Sequence, residues 1–546
     1  MIVTAVSVSM PAIRSVYEYA ERNSKNQNGE FRIHFISGET SSNRETLEQD
    51  IVEADVLITD IMGAGPGISS IIVENARKCN GQRLTLGGMA PQLGRLGKYD
   101  EASFRMNSDD EKNLRLINEH WKIGEYENIE QILNLVLGKY LKLDGYPETV
   151  LSNVLSGVYI KNPNTGESFK TREEYRTDKP VDENKGTVSL VYSGNNYPTK
   201  SIGIVRALYD KLIGFCNVTP IAMNSYDIRH VSVMEDLIEG SDLIINLLPF
   251  RFMAGPMGGD SVSATDLLKR TGATLISPFY MSQSFRNEWE EDVSGVNPME
   301  FMLDIFLPEL DGSLCTLPVG AKDEDGWIED LKMSFTEILP IDDRIDRIVN
   351  KTRNYLNLRN KPNSEKKIAI LSYNYPSGEG SLFGGSFLDG AGSISSILDR
   401  LNKEGYSVDS MSSEELLNRF INDGILNNGQ WISPSDRMIA YKGKEKHPDS
   451  VTERWGVAPG KIMVSGKDYM IPGIINNNVF IGLQPPRTSE SDNTEEYHDI
   501  HMPPHHQYLA MYEWIINEFK ADAVIHLGTH GTIEFLPGKE VAMSSE

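Results

Sequence analysis

Cysteine is scarce in this chain of 546 residues, which contains only Cys79, Cys216 and Cys315, all far apart. Three distant cysteines provide neither a local disulfide framework nor a CxxC metal site. The first nine residues lack the basic start and long apolar run of a signal peptide, and they are predicted to form a strand. No run of about 18 apolar residues occurs, so no membrane span is predicted. A reducing, cytoplasmic location is the simplest interpretation.

Basic residues are also few, since 53 Lys and Arg stand against 78 Asp and Glu and the formal net charge is −25. Such a chain offers no basic surface to neutralise phosphates, which excludes a general nucleic-acid-binding role. The hydrophobic content of 39% and the charged content of 24% are those of an ordinary globular protein. This length exceeds what one core supports, so three or four domains are expected.

Strand-like and helix-like segments alternate along most of the chain. The alternation predicts an α/β protein of several Rossmann-like or flavodoxin-like units with parallel sheets and a helical insert. The predicted domains are an N-terminal α/β domain at 1–100, a helical insert and connector at 101–185, a second α/β domain with a helical linker at 186–365, and a third α/β domain at 366–546. The polar stretch 162–183 is predicted to be a loop, and Tyr406–Asp409 a strand.

Two predicted loops at strand ends carry residues suited to ligand binding. The run 375–385, Tyr-Pro-Ser-Gly-Glu-Gly-Ser-Leu-Phe-Gly-Gly, is glycine-rich but is not a Walker A sequence. It is equally compatible with an anion site at a helix N-terminus and with an ordinary loop. In Gln484-Pro-Pro-Arg487 the prolines stiffen a strand end and hold the Gln and Arg side chains there. Arg487 would bind a carboxylate or form a structural ion pair.

Six of the ten histidines lie close together near the C-terminus: His498, His501, His505, His506, His526 and His530. Imidazole binds transition metals and titrates near neutral pH, so the cluster indicates metal or proton chemistry. His505 and His506 precede a predicted helix at 508–519, where neighbouring side chains point in different directions. At most one of them is expected to join a shared site, and the other is expected at the helix end or on the surface.

His526, His530 and Glu534 are spaced four residues apart, but Gly528 and Gly531 disfavour a continuous helix. We expect a strand that ends at His526, a glycine loop that carries His530 and a short turn that carries Glu534. The pattern is not HExxH, so a zincin protease has no local support. The alternative interpretation is a set of loop histidines satisfied by hydrogen bonds.

The run His526-Leu-Gly-Thr-His-Gly-Thr-Ile-Glu-Phe-Leu-Pro-Gly-Lys539 resembles the signature of the large subunit of class I cobalt and magnesium chelatases. Three further stretches agree in the family's order: 373–380, 484–487, and Tyr497-His498 with 504–508. The resemblance is firm over about 366–546 and general over 1–365. It implies an enzyme subunit that binds a tetrapyrrole and inserts a divalent metal, cobalt or alternatively magnesium. It also implies that separate AAA+ partner subunits hydrolyse ATP, which agrees with the missing Walker A sequence.

The resemblance further suggests which member of the family this is. Lys539 and the following Glu-Val-Ala-Met-Ser look more like the cobalt branch, which implies cobalt insertion into hydrogenobyrinic acid a,c-diamide in cobalamin biosynthesis. The alternatives are a magnesium chelatase H subunit, a CobN-like haem dechelatase, a non-catalytic tetrapyrrole-binding protein and, with least support, a metallohydrolase. Because family members are considerably longer, the chain is expected to be a fragment or a split subunit.

The resemblance also assigns roles to individual residues. Glu534 is expected to abstract protons, while His526 and His530 deliver metal or relay protons, so all three are candidate catalytic residues and metal ligands. Arg487 is expected to hold a carboxylate or acetamide edge of the macrocycle. The candidate substrate-binding residues are Arg487, Gln484, Tyr375, Glu379, His498, His505 and Lys539.

Overall fold

The computed structural model describes most of the chain. The described residues are 1–23, 29–100, 105–146, 149–154, 157–194, 201–224, 231–249, 251–252, 261–314, 316–373, 382–385, 387–427, 434–444, 446–487, 499–529 and 536–544. They form two compact units, of which the first comprises Met1–Asn350 with Glu540–Ser545 and the second comprises Lys351–Lys539. The fold is α/β with several mainly parallel sheets, which confirms the predicted fold class. Cys79 and Cys216 are buried, with their thiols donating to the carbonyls of Ala54 and Leu212, and Cys315 lies outside the described residues.

The first unit begins with a five-stranded sheet. Its strands, in spatial order, are Thr40–Ser41, Glu30–Ser37, Ile2–Ser7, Val56–Asp60 and Gln82–Thr85. The last four pair in parallel, as the apolar strands separated by helices predicted. The covering helices are Met10–Asn23, Leu47–Glu53 and Pro66–Lys78. A 3₁₀ turn at Pro91–Leu93 and the short strand pair Tyr99–Asp100 and Arg105–Met106 follow.

A helical layer follows, as the charged helical pattern predicted. The helix Ser108–Ile123 begins after Asn107, whose side chain accepts a hydrogen bond from the backbone N–H of Asp110, and ends at Gly124 with φ of 69°. Glycine adopts this left-handed conformation at little cost, so Gly124 terminates the helix. The helix Tyr126–Leu135 and a π turn at Val136–Tyr140 complete the layer.

A second sheet of six strands occupies the middle of the first unit. In spatial order they are Thr274–Ile276, Leu243–Leu247, Thr187–Ser193, Asn217–Met223, Val158–Lys161 and Ser168–Phe169. The first four are parallel and match predicted strands, whereas the last two add antiparallel at one edge. Helices at Ile202–Leu212, Val231–Ile238 and Ser261–Thr271 connect the parallel strands.

The prediction of a loop over 162–183 is wrong. The edge strand Ser168–Phe169 and the helix Arg172–Asp178 lie within this stretch. The helix forms in a polar sequence because Thr171 and Glu174 make a capping box, in which each side chain accepts a hydrogen bond from the other's backbone N–H. A local polar motif therefore stabilises an element that hydrophobic periodicity does not reveal.

Replacing Thr171 by Ala is expected to destabilise the protein by about 1 kcal/mol, because the N–H of Glu174 loses its side-chain acceptor. Thr177→Ala is the matched control. Its hydroxyl donates to the carbonyl of Glu173 within the same helix, and alanine is the better helix former. The measurement is the free energy of unfolding of the two variants in chemical denaturant. Equal values would contradict the proposal that the capping box stabilises the helix Arg172–Asp178.

A three-stranded sheet follows that the sequence interpretation did not include. Its strands are Phe279–Phe285, Pro318–Ile328 and Met333–Pro340, and the last two pair antiparallel. Short helical segments lie between the first two strands: Arg286–Glu291, Pro298–Glu300, a π turn at Phe301–Phe306, and Leu307–Leu310. The long helix Asp342–Asn360 corresponds to the predicted helical linker. The indole Nε1–H of Trp289 donates to the carbonyl of Ala542 at 2.8 Å, which places the segment after Lys539 in the first unit.

The second unit contains the sheet that positions the candidate site. Its strands, in spatial order, are Gly473–Asn476, Val479–Leu483, Ile368–Ser372 and Ala523–Leu527. The last three are parallel, with Ile368 in register with Val479 on one side and with Ala523 on the other. Consecutive residues of the central strand point to opposite faces of the sheet. Ile370 belongs to the apolar cluster on one face, and Leu371 belongs to the cluster on the other. The unit therefore has the two-sided packing expected of a parallel sheet.

Helices cover this sheet and lead into its loops. They are Gly390–Lys403, Ser413–Asn422, Asp449–Trp455 and His506–Trp514, the last continued by a π turn at Ile515–Phe519. Smaller elements are a 3₁₀ turn at Asn363–Glu365, the strand pair Gly384–Gly385 and Leu388–Asp389, and a small antiparallel sheet of Ile439–Tyr441, Asp468–Ile471 and Val464–Ser465.

The prediction of a strand at Tyr406–Asp409 is wrong. The backbone N–H of Asp409 donates to the side-chain oxygen of Asn476, and the carbonyl of Val408 accepts from the side chain of Asn402. Asparagine side chains thus satisfy backbone groups that a strand would use in a ladder. The segment is a connection between two helices, in which the N–H of Val408 donates to the carbonyl of Tyr406.

Candidate functional site

The candidate site lies at the edge where the three parallel strands of the second unit end. Beyond the strands, the N–H of Gln484 donates to the carbonyl of Ser372, and the N–H of Tyr373 donates to the carbonyl of Leu527, each at 2.8 Å. The three loops therefore leave the sheet side by side. In α/β sheets, ligands bind beyond the carboxyl ends of the strands, so this edge is the place to look for a site.

Two of these loops approach each other closely. A Cβ atom added to Gly385, in the glycine-rich loop, would lie 3.2 Å from the hydroxyl oxygen of Thr529, in the loop after the last strand. That separation is tighter than ordinary van der Waals contact, so the absence of a side chain at Gly385 allows the approach. The last residue of the glycine-rich run therefore lies close to the loop that follows His526.

His526 is the penultimate residue of the strand Ala523–Leu527, which extends one residue beyond the predicted end at His526. Its ring lies against Tyr512, with the centroids 6.0 Å apart, and its Nε2 is 3.1 Å from the Tyr512 hydroxyl. Partial burial of the imidazole lowers the pKa of His526 below its usual value of 6.5. A neutral imidazole can accept a proton or bind a metal, so His526 suits either predicted role.

Gln484 is joined to His526 through Tyr512. The side-chain amide of Gln484 donates to the Tyr512 hydroxyl at 2.8 Å, while the Gln484 backbone carbonyl accepts from the Asn427 side chain at 2.8 Å. The structure thus brings together two predicted site residues. Sequence reasoning missed Tyr512, and the signal that could have found it is its place in the helix directly after the histidine pair.

Arg487 is completely buried. Its guanidinium donates to the carbonyl of Met502 at 2.9 Å and to that of Asp499. These bonds connect the two ends of the segment 488–498, which lies outside the described residues. The structure therefore shows the Arg487 guanidinium bound to backbone carbonyls, and a contact with a substrate carboxylate stays a prediction.

His505 caps the helix His506–Trp514. Its Nδ1 accepts a hydrogen bond from the backbone N–H of Tyr508 at 3.2 Å, and Trp455 packs edge-on against its ring. Complete burial lowers the pKa of His505 to about 4, assisted by the neighbouring His506 and opposed by the carbonyl of Pro486. His505 is therefore a neutral structural group, and its predicted contact with substrate stays a prediction.

His506 pairs with a histidine that the sequence interpretation did not single out. Its Nδ1 lies 2.6 Å from Nδ1 of His447, and its Nε2 donates to the carbonyl of Gly456 at 2.8 Å. Nε2 of His447 lies 3.6 Å from the carboxylate of Glu513, which Lys444 also contacts. Burial lowers the pKa of His447 despite that carboxylate. The expectation that one histidine of the pair lies at the helix end is confirmed by His505, but neither is on the surface.

Five predicted site residues lie outside the described residues: Tyr375, Glu379, His498, His530 and Glu534. Lys539 is described and half-buried, as the last residue of the continuous segment of the second unit. Within the described part of the chain, no group of three or more His, Cys, Asp or Glu side chains is arranged to hold a metal ion. His526 is thus the described member of a candidate metal and proton site whose other predicted members are not described.

Parallel sheets define the class of this protein: an α/β protein in which the loops that follow three parallel strands of the second unit lie side by side. The family is given by comparison, because the model of the CobN/Magnesium Chelatase family matches residues 118–546. The chain belongs to the CobN/Magnesium Chelatase family.

Individual relatives come from both branches of this family. The magnesium chelatase H subunit of Chlorobaculum parvum is 27% identical, over 80% of this chain and 34% of its own length. The aerobic cobaltochelatase subunit CobN of Pseudomonas aeruginosa is 28% identical, over 69% of this chain and 30% of its own. The chain therefore spans about a third of the length of these relatives.

A solved structure shares the fold. The catalytic subunit of cobaltochelatase from Mycobacterium tuberculosis aligns with all of this chain and 44% of its own, with a TM-score of 0.68 and 20% sequence identity. At that identity the similarity concerns the fold. Across the described residues, no helix combines the length and the apolar character needed to cross a membrane.

Proposed function

We propose that this chain is the tetrapyrrole-binding part of the large subunit of an ATP-dependent class I metal chelatase, which inserts cobalt into hydrogenobyrinic acid a,c-diamide in cobalamin biosynthesis. The observation that carries the proposal is the position of His526, beside Tyr512 and Gln484, at the strand edge of a chain of this family. A planar macrocycle needs an open cleft with convergent polar groups, and such clefts form at the carboxyl ends of parallel strands.

The proposed reaction exchanges protons for a metal ion. A divalent metal enters the ring, its bonds form to the four ring nitrogens, and the inner N–H protons, one from a corrin or two from a porphyrin, leave to a base. Glu534 is proposed to abstract these protons, and His526 and His530 are proposed to present metal or relay protons. A transient site of this kind should be incomplete, unlike a closed four-ligand structural zinc site.

The remaining predicted residues are proposed to bind the macrocycle. Gln484 contributes a buried amide at the end of its strand, and Lys539 contributes a cation just after the signature loop. Arg487 acts through the loop that its backbone contacts shape. Tyr375, Glu379, His498 and His505 complete the proposed set, in which the buried His505 supports the helix that carries Tyr512.

ATP hydrolysis is proposed to occur on separate AAA+ partner subunits, as the family resemblance implies and in agreement with the missing Walker A sequence. The cobalt assignment follows Lys539 and the residues after it, which resemble the cobalt branch. The second candidate is a magnesium chelatase H subunit, which is favoured by the similar identity to a relative of that branch. The non-catalytic candidate is a tetrapyrrole-binding protein that uses the same cleft.

The test is macrocycle binding followed by metal insertion. The chain is expected to bind hydrogenobyrinic acid a,c-diamide more tightly than protoporphyrin IX, as measured by its intrinsic fluorescence. Cobalt insertion is then followed by absorbance with ATP and AAA+ partners. If neither macrocycle perturbs the fluorescence, the chelatase proposal is contradicted for this chain. Preference for protoporphyrin and magnesium would support the second candidate, and binding without insertion would support the third.

A further inference from the structure

A cavity of about 370 Å³ in the first unit has no role in the proposal above. Its walls come from the strands Val158–Lys161 and Thr187–Ser193 and from the starts of the helices Tyr126–Leu135 and Ile202–Leu212. Elements of regular structure therefore surround it on several sides. Its volume is within the range of protein sites for small molecules, so the side chains that line it show which ligand it could take.

Two cationic side chains line this cavity. Lys161 is the last residue of its strand, and Arg206 lies in the second turn of the helix Ile202–Leu212. Both are held in place by hydrogen bonds. The Nε–H of Arg206 donates to the carbonyl of Pro163 at 3.0 Å, and the backbone carbonyl of Lys161 accepts from the hydroxyl of the buried Tyr192 at 2.7 Å. These bonds leave the Lys161 ammonium and the Nη atoms of Arg206 for a ligand.

The positive charges of the cavity are not balanced by ion pairs. Among the residues that the structure describes, no carboxylate lies within ion-pair distance of Lys161 or Arg206, whereas Lys211 on the same helix pairs with Asp346. Lys161 is half-buried, and burial lowers the pKa of its ammonium; Glu125 opposes this effect, and the charge of Arg206 adds to it. Two like charges in a partly desolvated cavity repel each other, and an anion bound to both would remove that repulsion.

Two carboxylates also line the cavity, at the start of the helix Tyr126–Leu135. Glu125, the residue before this helix, is half-buried, and Glu127 is exposed. A carboxylate accepts hydrogen bonds from hydroxyl and amino groups, while Lys and Arg donate to oxyanions. A ligand that carries an oxyanion together with hydroxyl or amino groups would satisfy both kinds of side chain. Sugar phosphates, hydroxy acids and amino acids have this combination of groups.

We propose that this cavity is a second ligand site, in which Lys161 and Arg206 bind the oxyanion group, a phosphate or a carboxylate, of a small polar molecule whose hydroxyl or amino groups face Glu125. The proposal goes beyond the proposed function, because it concerns another ligand and residues of the first unit only. Lys161 supplies a point charge, and the planar guanidinium of Arg206 supplies parallel N–H donors that match two oxygens of the anion.

The test is the binding of two probe anions to the full chain. Inorganic phosphate and malonate are titrated at constant ionic strength, and binding is followed by calorimetry and by the rise of the unfolding temperature. The wild type is expected to bind at least one of them, and the anion that binds more tightly identifies the oxyanion as phosphate or carboxylate. Lys161→Gln and Arg206→Gln are each expected to weaken this binding about 10- to 100-fold, the equivalent of one charge-assisted hydrogen bond. A wild type that binds neither anion would overturn the proposal.

Lys170→Gln is the matched control. Lys170 is exposed and directly follows the edge strand Ser168–Phe169, so its replacement makes the same change of charge on the same sheet. This variant should bind the anion as the wild type does. Equal weakening in Lys170→Gln would show that the anion responds to net charge, and unchanged binding in Lys161→Gln and Arg206→Gln would place it elsewhere; either result overturns the proposal. The measurement needs no macrocycle, metal or partner subunit, so it is decided independently of the proposed function.

Lys161→Met supplies a readout that a structural role for Lys161 would not give. Methionine removes a partly desolvated charge and keeps most of the length of the side chain, so the unfolding temperature in chloride buffer should rise while anion binding is lost. A lower unfolding temperature together with retained anion binding would overturn the proposal, because Lys161 would then serve the fold and not a ligand. Arg206 is exposed, so Arg206→Gln gives the binding result even if the variants of Lys161 fold poorly.

Discussion

Glu534→Gln is expected to lower metal insertion by about 10²- to 10⁴-fold while it leaves macrocycle binding within about twofold, because an amide cannot take up the ring N–H protons. The substitution keeps the size of the side chain, replaces one acceptor oxygen by a donor NH₂ group and removes the basicity. The measurement is cobalt insertion under saturating macrocycle with ATP and AAA+ partners, beside a fluorescence titration of macrocycle binding. Glu534 lies outside the described residues, so this prediction rests on chemistry and on the family resemblance.

The matched control for this variant is Glu540→Gln. Glu540 is exposed, lies six residues further along and belongs to the first unit, so the same change of charge should leave insertion near the wild-type rate. If Glu534→Gln loses macrocycle binding and metal insertion equally, Glu534 contributes to binding or folding and not to proton abstraction. Equal loss in both variants would show that the effect comes from net charge near the signature.

The parallel sheets were predictable because their strands are short, apolar and separated by amphipathic helices. The strand Val479–Leu483 illustrates this, since all five of its residues are buried and it ends directly before Gln484, where a strand end was predicted. The sheet at 279–340 was not predictable in the same way. Its long strand Pro318–Ile328 contains a lysine, three acidic residues and two glycines, and it pairs along most of its length with an antiparallel neighbour. Such a strand gives no apolar pattern to detect.

The position of the candidate site was more predictable than the roles within it. The predicted strand ends put His526 and Gln484 at the ends of parallel strands, and the structure has them there. The carboxyl ends of parallel strands lie side by side, so the two residues are near each other. Sequence alone did not show that Arg487 binds backbone carbonyls or that His505 caps a helix. Those roles depend on which atoms are buried together, and spacing along the chain does not determine that.

The histidine cluster therefore contains groups with different tasks. His505 and His506 are buried and bonded to backbone groups, so they support the helix that carries Tyr512. His526 stands at the strand edge, where its ring meets the Tyr512 hydroxyl. A helix fixed at its start by two histidines carries Tyr512 near its end, and the Tyr512 hydroxyl contacts the His526 ring. His505 and His506 thus affect the candidate site indirectly, by supporting the helix that carries Tyr512.

The buried cap at His505 is expected to make the protein sensitive to acid. The folded state holds the pKa of His505 at about 4, below the ordinary value of 6.5 that applies in the unfolded chain. The contribution of neutral His505 to the free energy of unfolding is therefore complete above about pH 6.5. It is lost as the pH falls toward 4, because the unfolded chain takes up a proton that the folded protein does not. This single group should lower the free energy of unfolding by about 3 kcal/mol across that interval. Urea unfolding at pH 7 and pH 4.5 is the measurement.

The variant His505→Asn distinguishes the contribution of His505 to the acid sensitivity from the contributions of other buried histidines. Asparagine is a good helix cap that does not titrate. The variant should be somewhat less stable at pH 7, because its side chain is smaller. Its free energy of unfolding should fall less steeply in acid, because about one proton fewer is taken up on unfolding. His501→Asn makes the same change at an exposed histidine four residues earlier and should keep the pH dependence of the wild type. If His505→Asn keeps the full acid sensitivity, His505 does not carry it, and the buried His447 becomes the next group to replace, because burial also lowers its pKa.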